Sequence, residues 1–426
     1  MANAFSKEER VAFEDLLEGF HDALVLSRNV GIYNTDQTMM ARTNDVIWRP
    51  MPYIAQSISS TPGTPIGGYQ DMTQLSVPAT IGFSRTVPWT MTTLDLRDAL
   101  QEGRLGEAAK QKLASDINLA IMNAAANLGS LVVDIGAAAG TYDDVALCDS
   151  IMNEQGVADY DRFLALSSRD YNGLAGNLVG TARSFGNAKS DKAYERSYVG
   201  MVAGFDTYKM DYANRLTAAA GGGAITIDTS GAGTQANYLP QATSTAVGGQ
   251  INVDNRFQSV TVSSTAGVAA GDAFKIDGVF AVHHITKQST GQLKTFRVVS
   301  VTNGTTMVIT PPIIGAQAPA TDAQLQYKNV EVTTPSNTAA ITFLNANTAQ
   351  VNVFWQRDSL EILPGRYAVP SDAGVAVMRA STDQGIELVM QKFYDIDSMT
   401  IKYRLDTLFG VVNKNPEMSG ILLFNQ

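Results

Sequence analysis

Between Leu96 and Val133 the chain has no proline, has glycine only at Gly103, Gly106 and Gly129, and is dense in Ala, Leu, Lys, Gln and Glu. Apolar side chains recur at Leu105, Ala109, Leu113, Ile117, Ala120, Ile121, Ala124, Leu128 and Leu131. These steps of three and four keep one face of a helix dry. The pattern predicts one long helix, from Leu105 to Val133 roughly 45 Å at 1.5 Å per residue, a length suited to a spine. Upstream, Ser6 and Glu9 have capping-box spacing, and Phe13, Leu16, Leu17, Phe20 and Leu24 mark an amphipathic helix to about Ser27. Its pattern leaves open whether it packs on its own domain or serves as an arm for a partner.

The texture changes from Asn44 to Trp89, where six prolines interrupt a run rich in Ser and Thr. Short extended pieces are predicted at Val46–Trp48, Gln74–Val77 and Thr80–Thr86. Ile47, Trp48, Tyr53, Ile54, Tyr69, Phe83 and Trp89 follow no helical stripe. The expectation is an extended two-stranded loop reaching a neighbouring subunit, with a surface hairpin on its own domain as the alternative. After the spine, helix and strand alternate: a helix at Asp143–Gln155, a strand at Phe163–Leu166, a helix from Ser168 to about Leu178 and a strand at Tyr198–Val202. That order suggests a compact α/β unit.

From Ala218 to about Asn345 the pattern is nearly pure β. Phe296–Val301 and Met307–Thr310 flank Asn303-Gly304, which predicts a type I′ hairpin. Gln258–Ser263 alternates, and Ala273–Ile276 and Val279–Val282 flank Asp277-Gly278. Together these predict an inserted antiparallel barrel or sandwich. The α/β texture then resumes, with strands near Val351–Trp355, Leu360–Leu363, Val375–Met378, Glu387–Gln391, Ser398–Leu405 and Gly420–Phe424.

Composition narrows the function. Net charge is −10 over 426 residues, so a basic surface that grips nucleic acid phosphates is not expected. The one cysteine, Cys148, cannot make an internal disulfide and sits on an apolar helical stripe with Val145, Ile151 and Met152, as a buried inert thiol would. No apolar run approaches the roughly 18 residues that span a bilayer, and no signal-like segment opens the chain, so a cytoplasmic life is expected. His283 and His284 are adjacent in a predicted strand and point to opposite faces, which argues against a shared metal. Gly231–Ala236 matches a dinucleotide fingerprint but precedes Pro240 rather than a helix. Asp395 and Asp397 read as a solvated strand face. No catalytic, cofactor or metal site is assigned, and the chain is not expected to be an enzyme.

The order of parts resembles the major capsid proteins of tailed phages, which share the Johnson (HK97) fold. Asn44 with Ile47-Trp48 and Pro50, Leu96-Arg97-Asp98, Gly129-Ser130-Leu131-Val132 and Val202-Ala203-Gly204-Phe205-Asp206 are similar to the P22 coat protein family. So are Asn252-Val253-Asp254-Asn255-Arg256-Phe257, Gly271-Asp272 and Asn303-Gly304-Thr305 to Ile309-Thr310-Pro311, which resemble its telokin-like insertion domain. Asn352-Val353-Phe354-Trp355 resembles the return to the main domain. The resemblance implies an α+β fold divided into an N-terminal arm at 1–43, an extended loop at 44–93, and the spine helix with the peripheral domain at 94–136. The axial domain follows at 137–219, then the inserted barrel at 220–345 and the remaining axial and peripheral parts at 346–426.

It also implies a homo-oligomer of hexameric and pentameric capsomers that builds an icosahedral shell around double-stranded DNA without binding it specifically. A scaffolding protein and a portal would take part, no membrane is involved, and a decoration protein is left open. The shell would assemble in the host bacterial cytoplasm and become the virion capsid. Two features depart from relatives. No lysine lies between Lys7 and Lys110, so the loop cannot supply the lysine that cross-links some shells of this fold. Pro240–Gln250 carries no charge, where the family has an acidic loop that makes ion pairs. Within the extended loop, Arg49, Asp71 and Arg85 are the only charges between Trp48 and Trp89, and these five residues are the candidate intersubunit contacts. An encapsulin-like compartment shares the fold and stands as the alternative. An α/β hydrolase would need a nucleophile and base that the chain does not present.

Overall fold

The computed structural model describes residues 7–33, 46–52, 54–57, 60–63, 69–92, 99–181, 196, 199–210, 214–220, 225–228, 237–246, 249–316, 320–332, 335–368 and 375–424. The Ser6 cap, Tyr53, the Leu96-Arg97-Asp98 string and the Gly231–Ala236 motif lie outside these residues. By internal contacts the chain forms two compact units. One comprises Met1–Ile47, Ala79–Met122 and Leu360–Val412, and the other Trp48–Pro78, Asn123–Ser359 and Asn413–Gln426.

The spine helix runs from Ala99 to Leu128, 30 residues, or about 45 Å. Ala109, Leu113, Ile117, Ala120 and Ile121 are buried along the expected face. Its end differs from the expectation. Leu131 and Val133 are not helical but belong to a strand, Leu131–Ile135, parallel to Ser419–Phe424. Gly129 ends the helix, its N–H donating to Ala125 O at 2.8 Å. The β-branched pair Val132-Val133 then gains more from a buried sheet than from another helical turn.

In the first unit, the helix Lys7–Ala23 buries Phe13, Leu16 and Phe20, and its Glu9 pairs with Lys392 and accepts from Tyr403 Oη. This helix packs inside its own unit. The sheet pairs Phe83–Thr92 with Thr400–Asn413 over ten positions, with Arg85 opposite Thr407 and Trp89 opposite Tyr403. Glu387–Asp395 and Ala376–Ser381 continue it, and Leu360–Pro364 and Gly31–Ile32 complete it. In the hairpin that joins Glu387–Asp395 to Thr400–Asn413, Asp395 accepts Lys402 Nζ at 2.8 Å and the Asp397 N–H at 3.1 Å. Hydrogen bonds from Lys402 and Ser398 hold its carboxyl below the usual range.

The second unit is built on a seven-stranded mixed sheet. Ala349–Gln356 lies at its centre, antiparallel to both Ser419–Phe424 and Arg162–Ser167. Phe205–Met210 pairs in parallel with Arg162–Ser167. This strand replaces the expected one at Tyr198–Val202, of whose described residues only Met201–Val202 are in a strand. Gly204, at φ +80, makes the turn between the two. Helices Tyr142–Gln155 and Ser168–Thr181 supply Val145, Cys148, Met152, Tyr171 and Leu174 to the core beneath. Cys148 is fully buried, and burial pushes its thiol pKa up.

The inserted barrel is a five-stranded antiparallel sheet in the order Gln258–Thr261, Thr306–Thr310, Ser289–Asn303, Ala273–Val282, Ile341–Phe343. The short segment 225–228 bridges both of its edges, through Ile227 to Val262 and Thr226 to Ala340. That closure removes the open edge strands. Phe274, Phe296, Val260, Val298 and Ile309 are fully buried in its core.

Three local expectations are corrected. Asp277-Gly278 is not a hairpin turn but a bulge inside one strand, with Gly278 at φ +75. Neither Asn303 nor Gly304 has positive φ, so the turn is not type I′. The Asn303 carboxamide instead accepts the Thr305 N–H at 2.9 Å, which centres the turn on Gly304-Thr305. Finally, the β region contains a helix, Asp322–Tyr327, opened by a capping box of Thr321 and Gln324.

Seat of the inserted barrel and candidate assembly surfaces

The extended loop contains the strands Val46–Pro50 and Ser76–Thr80, paired as a two-stranded sheet. Beyond this pairing it rests on the barrel. Leu75, Met51 and Ile54 pack with Tyr238, Ile314 and Tyr327. The Thr73 N–H donates to Gln326 Oε1 at 3.0 Å, Tyr327 Oη donates to Thr73 O at 2.8 Å, and the Asp71 N–H donates to Asp322 Oδ2 at 2.9 Å. These bonds explain the short helix that the β pattern concealed: it carries the three side chains that receive the loop.

The candidate contact residues fall in two places. Trp48 and Arg49 are half-buried in the loop strand, and Asp71 is exposed beside Tyr69 and Met72, which are 93% and 58% exposed. Arg85 and Trp89 lie on Phe83–Thr92 in the six-stranded sheet. Arg85 is exposed, with its guanidinium 5.9 Å from the Phe83 ring. Trp89 stacks on Tyr403 with centroids 5.5 Å apart, and its buried Nε1 has no hydrogen-bond partner among the described residues. The two tryptophans therefore belong to different sheets. The uncharged run Pro240–Gln250 contributes to a hairpin, Thr243–Ala246 with Gly249–Asn252, whose second strand is wholly exposed.

Sequence reading missed the seat of the barrel on the mixed sheet. Asn415, Pro416 and Glu417 connect Thr400–Asn413 to the last strand, Ser419–Phe424. Glu417 pairs with Lys294 of the barrel, lies 3.3 Å from His284 Nε2 and accepts Asn329 Nδ2 at 3.1 Å. Around it, Arg256 Nη1 donates to Asn413 O at 2.9 Å, and Thr295 Oγ1 donates to Ser130 O at 2.6 Å. The His284 N–H donates to Gln155 O at 3.1 Å, and Arg297 Nη1 donates to Gly129 O at 3.3 Å. The partners are separated by 88 residues or more in sequence, and no spacing rule could have joined them.

The electrostatics follow from burial. Desolvation would raise the Glu417 carboxyl, but Lys294, His284 and the hydrogen bonds from Lys294 and Asn329 together hold it at about 2. Burial lowers His284 to about 4 and Lys287 to about 8. The arrangement is an internal seam, with no nucleophile–base pair, and among the described residues no His, Cys, Asp and Glu side chains group as a metal site.

A family model described as P22 coat protein, gene protein 5, matches residues 1–425. The chain belongs to the P22 coat protein family. It is a major capsid protein, many copies of which form the head shell of a phage, and its place is the virion capsid. The chain is also similar to several solved structures. One from Mycobacterium phage Che8 is 9% identical, covering 94% of this chain and 91% of its own, with a TM-score of 0.46. The capsid structure of the cyanophage P-SCSP1u is 10% identical over 93% of this chain and 87% of its own, with a TM-score of 0.45. The CUS-3 coat protein I-domain is 36% identical over 29% of this chain and 96% of its own, with a TM-score of 0.23. The fold is the HK97-like α+β fold. No helix of the described residues is long and apolar enough to cross a membrane.

Proposed function

We propose that this P22-family coat protein assembles in the bacterial cytoplasm as hexameric and pentameric capsomers around a scaffolding protein, with a portal at one vertex. The shell then expands, without covalent cross-links, as double-stranded DNA is packaged. The observation that carries this reading is the family match over residues 1–425. The net charge of −10 supports confinement of DNA by a wall rather than by a binding surface. Many repeated contacts of modest strength suffice to hold such a shell.

The inserted domain, 220–345, acts as a folding nucleus and brace, and the loop 44–93 reaches an adjacent subunit through Trp48, Arg49, Asp71, Arg85 and Trp89. The exposure of Asp71 and Arg85, and an indole N–H at Trp89 without a partner among the described residues, support that role. Electron microscopy of the protein expressed alone and with its neighbouring genes tests the reading. Closed shells, with scaffold and DNA in the full system, are expected. Persistent monomers under both conditions would overturn it, and shells filled with a cargo enzyme in place of nucleic acid would point to an encapsulin-like compartment.

A further inference from the structure

The Glu417 seam is unusual in its charge balance. Glu417 and Lys294 have side chains only 13% and 3% exposed. Taking both ions out of water costs several kcal/mol each unless the geometry and added hydrogen bonds offset it. Here they do: Lys294 Nζ also donates to Gln155 Oε1 at 3.3 Å, and Glu417 also receives Asn329. The groups facing Glu417 come from several elements. Lys294 lies on Ser289–Asn303, His284 and Lys287 follow Ala273–Val282, and Asn329 follows Asp322–Tyr327. Glu417 is the anion common to the lysines and to His284. Asp254, the nearby acid, is engaged by Arg256 through Nη2 at 2.7 Å and Nε at 2.9 Å.

The surrounding bonds are of one kind. Barrel side chains or amides donate to backbone carbonyls at the margins of the mixed sheet, at Gly129, Ser130, Gln155 and Asn413. Each joins a barrel strand or turn to the end of a helix or strand rather than to the middle of a loop. The base of the extended loop closes the same region: Met51, Pro52, Ile54 and Leu75 line, with His284, Asn329 and Glu417, a cavity of about 60 Å³.

We propose that the Asn415–Met418 turn is a clamp whose single anionic pin, Glu417, fuses the inserted barrel and the mixed sheet into one mechanical body. The inference rests on this chain's own contacts and is independent of the shell reading. Its carboxylate neutralises Lys294 inside the seam, and the ring of donors to Gly129, Ser130, Gln155 and Asn413 sets the angle at which the barrel is held. Removing the pin frees the seam while leaving the barrel core intact, because Phe274, Phe296 and Val298 are packed without it.

Hydrogen exchange on the full-length, unassembled chain tests this, comparing seam amides (283–287 and 155–157) with barrel-core amides (296–298). In the unsubstituted chain both sets exchange slowly. Glu417→Gln is expected to speed exchange at the seam at least tenfold while the barrel core stays protected. Adding Lys294→Met restores much of the seam protection, because the cation left unpaired is gone. Glu331→Gln, at an exposed carboxylate that accepts Ser289 Oγ at 2.6 Å on the same barrel, leaves the seam unchanged. The proposal is overturned if seam protection survives Glu417→Gln. It is equally overturned if the barrel core loses protection together with the seam, or if Lys294→Met brings no recovery.

Discussion

Asn352 is fully buried, and both ends of its carboxamide are engaged. Oδ1 accepts the Ser167 N–H at 2.7 Å, while Nδ2 donates to Asp170 Oδ2 at 2.8 Å and to Leu422 O at 3.2 Å. One side chain thus joins the central strand of the mixed sheet to the start of the helix Ser168–Thr181 and to the last strand. Truncation would leave a buried amide and a buried carboxyl short of partners, so Asn352→Ala is expected to cost about 2–4 kcal/mol, read as a lowered urea midpoint.

His284 gives a pH dependence with a definite sign. Its folded pKa of about 4 lies below the ordinary value of 6.5 because burial and the nearby lysines oppose its charging. The unfolded chain therefore binds a proton between those values that the folded chain does not, and stability falls as pH drops through that window. The loss from pH 7 to pH 5 is expected to be about 2 kcal/mol. Urea midpoints at the two pH values check it, and His284→Gln is expected to shrink the difference. Glu417 acts in the same direction further down, since its depressed pKa makes stability fall from about 4.5 toward 2.

At the scale of elements, the joint between spine helix and sheet is decided by one glycine. A Cβ at Gly129 would meet Ala125 O at 2.7 Å and Gly420 Cα and N at 3.1 Å, all backbone atoms that cannot swing aside. Gly129→Ala is expected to destabilise by about 1–3 kcal/mol. Gly136→Ala, where nothing lies within 4 Å, is expected to change stability by less than about 0.5 kcal/mol. Chemical denaturation of the pair of variants separates a packing constraint from a general intolerance of glycine substitution. The same joint shows why the helical pattern overran its end. Leu131 continues the helical spacing, but it also starts a buried strand, and periodicity does not discriminate between them over so few residues.

For the whole molecule, the absence of lysine from Glu8 to Ala109 has a direct consequence in the particle. Mature shells boiled in denaturant are expected to run as single subunits on a gel. A ladder of covalent multimers would overturn that expectation. The uncharged Pro240–Gln250 run contributes to an exposed hairpin with Ile251 53% and Leu239 41% exposed, so any contact it makes is made by polar, apolar and backbone groups rather than ion pairs.

How much was legible before the structure follows from the range of each interaction. The spine, the alternation around Phe163–Leu166 and the strands near Phe296–Val301 and Val351–Trp355 are written in local periodicity, and the ordered strings from Gly129-Ser130 to Asn352-Val353 carried the family. The sequence by itself determined the kind of fold, the inserted β region, the lack of a lysine for cross-linking and the inert cysteine, because each depends on residue type or short-range spacing. Tertiary structure alone decided which strands pair and where the spine stops, that segment 225–228 closes the barrel, and that a six-residue helix receives the loop. It also decided the Glu417 seam. Lys294 and Glu417 stand 123 positions apart, and a buried ion pair leaves no local pattern: its partners are chosen by the fold that removes both from water.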